Sequence, residues 1–93
     1  MIVFSTLLHA DYPAFNRRRA YYIEAGSDLF EQWFVEIHYG RIGCKGKHKV
    51  FLVESEQAAK KQVKIRLRKR QRLVKKTGMG YAVIRTVGED WLE

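Results

Sequence analysis

The sequence predicts an α+β fold: a twisted antiparallel β-sheet with one long α-helix packed across it. Three observations predict it. From Trp33 to Tyr39 the side chains alternate with the period of a strand, Trp33, Val35, Ile37 and Tyr39 on one side and Phe34, Glu36, His38 and Gly40 on the other. Short runs rich in β-branched and aromatic residues recur along the chain, separated by Pro, Gly, Asn and Asp. Between Ser55 and Thr77 the period changes to that of a helix with one apolar and one basic side. Ninety-three residues suffice for one domain with a modest core, so residues 1–93 are expected to fold as a single unit.

Ile2 to Leu8 reads as the first strand. Asp11-Tyr12-Pro13-Ala14 breaks it, because Pro fixes its own φ and has no amide hydrogen to give a ladder. Asn16-Arg17-Arg18-Arg19 is polar and connects to, or opens, the next strand, Ala20 to Glu24, where Tyr and Ile suit a half-buried pleated surface. Gly26-Ser27-Asp28 is turn chemistry, and Leu29 and Phe30 are expected to pack beneath the loop that follows. In the Trp33–Tyr39 strand the odd-numbered side chains should line the core. Tyr39, at its end, reads either as core or as a ring open to solvent. Gly40, Gly43 and Gly46 recur at every third residue and allow a sharp turn and close approach of a ligand to the backbone. They are not a dinucleotide fingerprint, because lysines rather than a helix follow them.

Lys49 to Glu54 returns as the second arm of a hairpin. Ser55 is a good N-cap, Glu56 suits the positive end of a helix dipole, and Gly78 is the natural C-cap residue. Ala59, Val63, Leu67, Leu73 and Val74 fall on the apolar side of the helix; Lys60, Lys61, Lys64, Arg68, Arg72 and Lys75 fall opposite. Arg66 and Arg70 lie inside the apolar sector, where they must carry their heads out past their stems or pair with Glu residues of the sheet. Tyr81 to Val87 reads as the last strand. Glu89, Asp90 and Glu93 make an acidic tail around Trp91, which is expected to be exposed.

Charge narrows the partners. The formal net charge is +8, and ten of the eighteen Lys and Arg residues lie between Lys60 and Lys76. A clustered cationic excess attracts polyanions, since each phosphate neutralised releases counterions. The bland alternative is a solvated helix face that serves solubility. The single cysteine excludes an intramolecular disulfide and fits a reducing compartment. The N-terminal residues lack the basic start and long apolar run of a signal peptide, and no stretch approaches membrane-spanning length, so a cytoplasmic protein without membrane contact is expected.

Order and spacing of several segments resemble the WGR domain family, whose members include a regulatory module of DNA-dependent poly(ADP-ribose) polymerases. The matching pieces are Asn16 with the arginines after it, Tyr21-Tyr22, Asp28-Leu29-Phe30, Trp33, the core Tyr39-Gly40-Arg41-Ile42-Gly43, Gly46, Ser55 with Ala58, and Lys76-Thr77-Gly78 with Tyr81 beyond. They run from about Thr6 to Tyr81. The resemblance implies an antiparallel sheet crossed by one helix. It also implies contact with DNA at strand breaks, the motif's aromatic residue packing against a terminal nucleotide and its Arg lying at the DNA. Carried over, these are Tyr39 and Arg41. The family's Trp is Tyr39 here, which offers less stacking area.

The candidate nucleic-acid contacts are therefore Tyr39, Arg41, Lys45, Lys47, Lys49, Asn16, Arg17 and Tyr81. Arg41 reads either as a turn residue or as a phosphate ligand whose planar fork suits phosphate oxygens, with the three lysines extending the positive patch. Tyr81 reads as packing before it reads as a contact. No metal site is expected: Cys44 and His48 have a spacing some sites use, but His9 and His38 lie apart and zinc wants four convergent ligands. Nor does spacing assemble a nucleophile, base and orienting group, so neither a catalytic residue nor a cofactor is expected. The sequence reading is a nucleic-acid-binding module acting through backbone charge and strand ends, DNA ahead of RNA. Its rivals are an RNA-directed basic protein and a module that docks on a larger protein through Trp91 and the acidic tail. Oligomeric state is left open.

Overall fold

The computed structural model describes residues 1–77 and 80–92, with the backbone alone described for residues 73–77. Strands β1 (Ile2–Tyr12), β2 (Arg17–Ser27), β3 (Trp33–Arg41) and β4 (Lys47–Val53) precede helix α1 (Glu56–Thr77). Strand β5 (Ala82–Val87) and a 3-10 turn at Glu89–Leu92 follow it. The strands form one sheet in the order β4-β3-β2-β1-β5, every neighbouring pair antiparallel. The first four strands make a meander, and α1 then carries the chain from the β4 edge to the β5 edge. Its 22 residues span about 33 Å, more than the roughly 19 Å that separates the outer strands of a five-stranded sheet. The expected α+β architecture is the observed one.

β1 runs four residues beyond its expected end at Leu8, because the arginines that open β2 pair with it. Asp11 lies opposite Arg18, and the Arg18 guanidinium donates to the Asp11 carboxylate at 2.8 Å. The break falls at Pro13–Phe15, a single 3-10 turn closed by Asn16 in the left-handed region, whose N–H donates to the Pro13 carbonyl. Gly26 is a buried strand residue; the turn comes later, at Asp28, whose Oδ1 accepts from the N–H groups of Phe30 and Gln32. Those bonds hold the loop tip away from the sheet. Leu29 and Phe30 are consequently 97% and 89% exposed, not packed beneath it.

Strand alternation sorts the sheet into two faces, and α1 covers one of them. Phe4 and Leu8 of β1, Tyr21, Ile23 and Ala25 of β2, and Val35 and Ile37 of β3 meet Ala59 and Val63 of α1 in the core. Ser55 starts the helix as expected, its Oγ accepting from the Ala58 N–H at 3.1 Å. Leu67 packs on the core, whereas the side chains of Leu73 and Val74, and Gly78, lie outside the described residues. The two arginines of the apolar sector do not reach sheet glutamates. Arg66 lies 4.3 Å over the Phe51 ring and Arg70 4.1 Å over the Tyr21 ring. A guanidinium over an aromatic face is attracted by the ring quadrupole, by about 0.5–2 kcal/mol according to its desolvation.

The tail corrects two further expectations. Trp91 is 4% exposed, not a surface anchor: it stacks on Phe4 with ring centroids 5.7 Å apart and meets Trp33 at 6.2 Å. Lys60, expected on the solvent side of α1, is half-buried with Nζ 5.5 Å from the centre of the Trp91 ring. The acidic 3-10 turn brings the indole back under the start of α1, and the lysine stem is part of its cover.

Candidate nucleic-acid interface

The β3–β4 hairpin is built by close backbone approach. A Cβ on Gly46 would lie 2.4 Å from the Tyr39 carbonyl oxygen, and one on Gly40 would lie 2.6 Å from the Gly46 Cα; Gly46 also has φ +67°. Only glycine at both places lets β4 close behind Tyr39. Beyond Gly40 the chain is tied to β2. The Ile42 N–H donates to the Arg18 carbonyl, and the Cys44 N–H donates to the Arg41 carbonyl, each at 3.0 Å. Arg41 Nη2 donates to Asn16 Oδ1 at 3.0 Å. Two sequence-predicted site residues from different hairpins are thus joined. Asn16 thus orients the guanidinium.

Pairing places the cationic residues on the helix-covered face. Arg19 is opposite Arg41, Tyr21 opposite Tyr39, and Tyr39 opposite Lys47; Lys49 follows two residues on, opposite Ile37. Directly opposed residues project to the same side of a sheet. Tyr39 therefore ends the core row and begins the surface: it packs on the core while remaining partly open.

Beside it is a cleft of about 370 Å³ lined by Arg17, Arg19, Ala20, Tyr39, Gly40, Arg70 and Tyr81. Three arginines and two tyrosines converge there from β2, β3, α1 and the residues before β5. Burial pushes the Tyr21 hydroxyl above its ordinary range, against the opposing pull of Arg70 and Arg66. The buried Tyr21 ring supports two of the lining residues: it carries Arg70 at 4.1 Å and meets Tyr81 edge-on at 6.4 Å.

Of the sequence-predicted residues, the structure brings Tyr39, Arg17 and Tyr81 into this cleft. It sets Arg41 and Asn16 together next to it at the ends of β3 and β2. Lys47 and Lys49 stand on the exposed β4 edge, and Lys45 is exposed in the turn. Arg19 and Arg70 were missed. Arg19 shares the parity of Arg17 and Tyr21, and Arg70 is a cation on the apolar side of a helix, which must find either an anion or an aromatic ring; both signals are in the sequence. Cys44 is an exposed free thiol in the hairpin turn. Residues that could hold a metal ion lie on the other face of the sheet. Among the described residues no helix is long and apolar enough to cross a membrane.

No curated protein matches the chain. A family model does, from residue 4 to residue 87, which includes every strand and the whole of α1 apart from the first residues of β1. With a five-stranded antiparallel sheet, a single crossing helix and the Tyr39–Gly43 segment at the β3–β4 hairpin, this chain belongs to the WGR domain family.

Proposed function

We propose that this domain binds nucleic acid by its phosphate backbone and by stacking on a strand end, with little sequence readout and with DNA ahead of RNA. WGR domains are generally nucleic-acid-binding modules. The observation that carries the finer reading is the cleft beside Tyr39. Its volume of about 370 Å³ falls in the range of small-ligand sites, about 300–1,000 Å³. Its lining combines ring faces with guanidinium groups. A terminal nucleotide needs both: an aromatic surface for sugar or base, and forked donors for phosphate oxygens. Arg41 and the hairpin lysines extend the positive surface along which the backbone would run. The role in this reading is binding.

The test is a titration of nicked duplex, closed circular duplex, single strand and structured RNA at two salt concentrations. The reading expects tightest binding to DNA with an end or nick and a steep loss of affinity with salt, in proportion to the phosphates contacted. Equal affinity for closed circles and nicked duplex would remove the end-stacking element; affinity indifferent to salt would remove the whole reading. A second reading, docking on a larger protein, loses Trp91 to the core but is favoured by the exposed Leu29 and Phe30. It predicts co-purification with a protein that Leu29→Ser and Phe30→Ser together abolish.

A further inference from the structure

The face of the sheet turned away from α1 carries a feature that nucleic-acid binding does not use. Glu24 of β2 and Glu36 of β3 are directly opposite each other. Like charges so placed destabilise a sheet, and the ladder supplies no cation beside them: the row continues into Ser5 on one side and Val50 on the other. This occurs in a chain with 18 Lys and Arg against 10 Asp and Glu. In the adjoining row stands His38, its Nε2 3.3 Å from Glu36 Oε1. One ligand atom from each of Glu24, Glu36 and His38 lies within 4.8 Å of the other two. The Tyr22 hydroxyl donates to Glu24 Oε2 at 2.8 Å, and the His48 ring stacks on His38 at 5.3 Å. Both contacts orient the groups they touch.

We propose that Glu24, Glu36 and His38 form a site for a divalent transition-metal ion on the open face of the sheet, with zinc the ion their chemistry fits. Zinc accepts carboxylate oxygen and imidazole nitrogen at about 2.0–2.2 Å, and three protein ligands leave its fourth position to water. Tetrahedral bonds of that length need ligand atoms roughly 3.5 Å apart; His38 Nε2 and Glu36 Oε1 are already 3.3 Å apart, and all three ligand atoms lie within 4.8 Å of one another, a gap that side-chain rotation of Glu24 can close. Magnesium is a poor fit, because it prefers oxygen ligands and an octahedral shell. A bound ion removes the repulsion between the two carboxylates and fastens β2 to β3 next to Tyr39. The expectation of no metal site weighed cysteines and histidines alone; the two glutamates become ligands only through the β2–β3 register.

Tag-free protein titrated with zinc chloride, with magnesium chloride as control, tests this by calorimetry and thermal melting. One zinc ion per chain should bind and raise Tm, and magnesium should do neither. Cys44→Ser, which removes the single thiol, should bind zinc like the wild type. Glu24→Gln and Glu36→Gln should each weaken zinc binding at least about tenfold. In metal-free buffer each should melt no lower than the wild type, because each relieves a like-charge contact. No binding up to about 100 µM zinc, where a useful site would already stabilise the fold, would overturn the proposal. So would affinity that survives both glutamine variants, affinity lost in Cys44→Ser, or glutamine variants that melt lower or fail to fold without metal.

Discussion

Trp91 is the residue whose replacement most sharply separates core from surface. Its indole is 4% exposed, lies 5.7 Å from Phe4 at an interplanar angle of 9°, and contacts Trp33 at 6.2 Å. Lys60 Nζ sits over it at 5.5 Å. Trp→Ala at a buried site costs about 3–5 kcal/mol, and the upper half applies where the cavity cannot collapse. Here Phe4 and Trp33 are held by central strands of the sheet, so the cavity persists and about 4–5 kcal/mol is expected. A domain of this size has about 5–14 kcal/mol in total. A loss of 4 kcal/mol corresponds to a fall in Tm of at least about 15 °C. Trp91→Phe, which keeps a ring on Phe4, should lose much less. Thermal and urea melts followed by circular dichroism measure both, and DNA titration well below the melt should give the wild-type affinity. A melt of Trp91→Ala within about 2 °C of the wild type would show that the tail is not part of the core and would return Trp91 to the surface as a docking group.

The proposed function makes two further predictions, and the hairpin geometry a third. Tyr39→Ala should weaken binding to nicked or end-bearing DNA by about 1–3 kcal/mol, the worth of one stacked base, and leave closed circles nearly untouched; a large drop in Tm with unchanged affinity in the folded fraction would make Tyr39 a core residue only. Lys45, Lys47 and Lys49 replaced together by Ser should weaken binding to all sequences alike and flatten the salt slope by about three phosphate contacts at most; an unchanged affinity and slope would move the contact surface elsewhere. Gly46→Ala should cost more than about 1 kcal/mol in urea melts, since Ala at positive φ is strained and its Cβ would meet the Tyr39 carbonyl at 2.4 Å; a melt like the wild type's would show that the hairpin closes without glycine.

The parts legible in the sequence are those whose cause is local. Ser55 announces α1 because an N-cap acts on an N–H three residues away, and the Ala59–Val63–Leu67 spacing is enough to give the buried side. Trp33 to Tyr39 declares its core side by period alone. What was hidden depends on partners distant in the chain. Trp91 reads as an exposed tail residue until β5, paired with β1, delivers the following turn to Phe4. Arg70 reads as a misplaced charge until α1 crosses β2 and supplies the Tyr21 ring. Leu29 and Phe30 read as core by hydrophobicity, but Asp28 fixes a tight turn that points them outward. Tyr39 and Arg17 could be named beforehand, but the cleft they share could not, because it exists only once α1 lies over the end of β2.

β3 shows how one strand can serve two surfaces without mixing them. Its odd residues descend from Trp33 through Val35 and Ile37 to Tyr39, all on the helix side, where Arg19, Arg41 and Lys47 gather at the strand end. Its even residues place Glu36 and His38 on the open side opposite Glu24 and Tyr22. The pleat alone enforces the separation, since a shift of one residue in register would exchange every side chain between faces. The cluster of Arg19, Arg41 and Lys47 and the carboxylate pair therefore lie on opposite faces of the same strands. If the proposed function holds, that asymmetry would select orientation before contact in an electrostatically steered encounter, and a nucleic acid would arrive with Tyr39 and the arginine-lined cleft facing it.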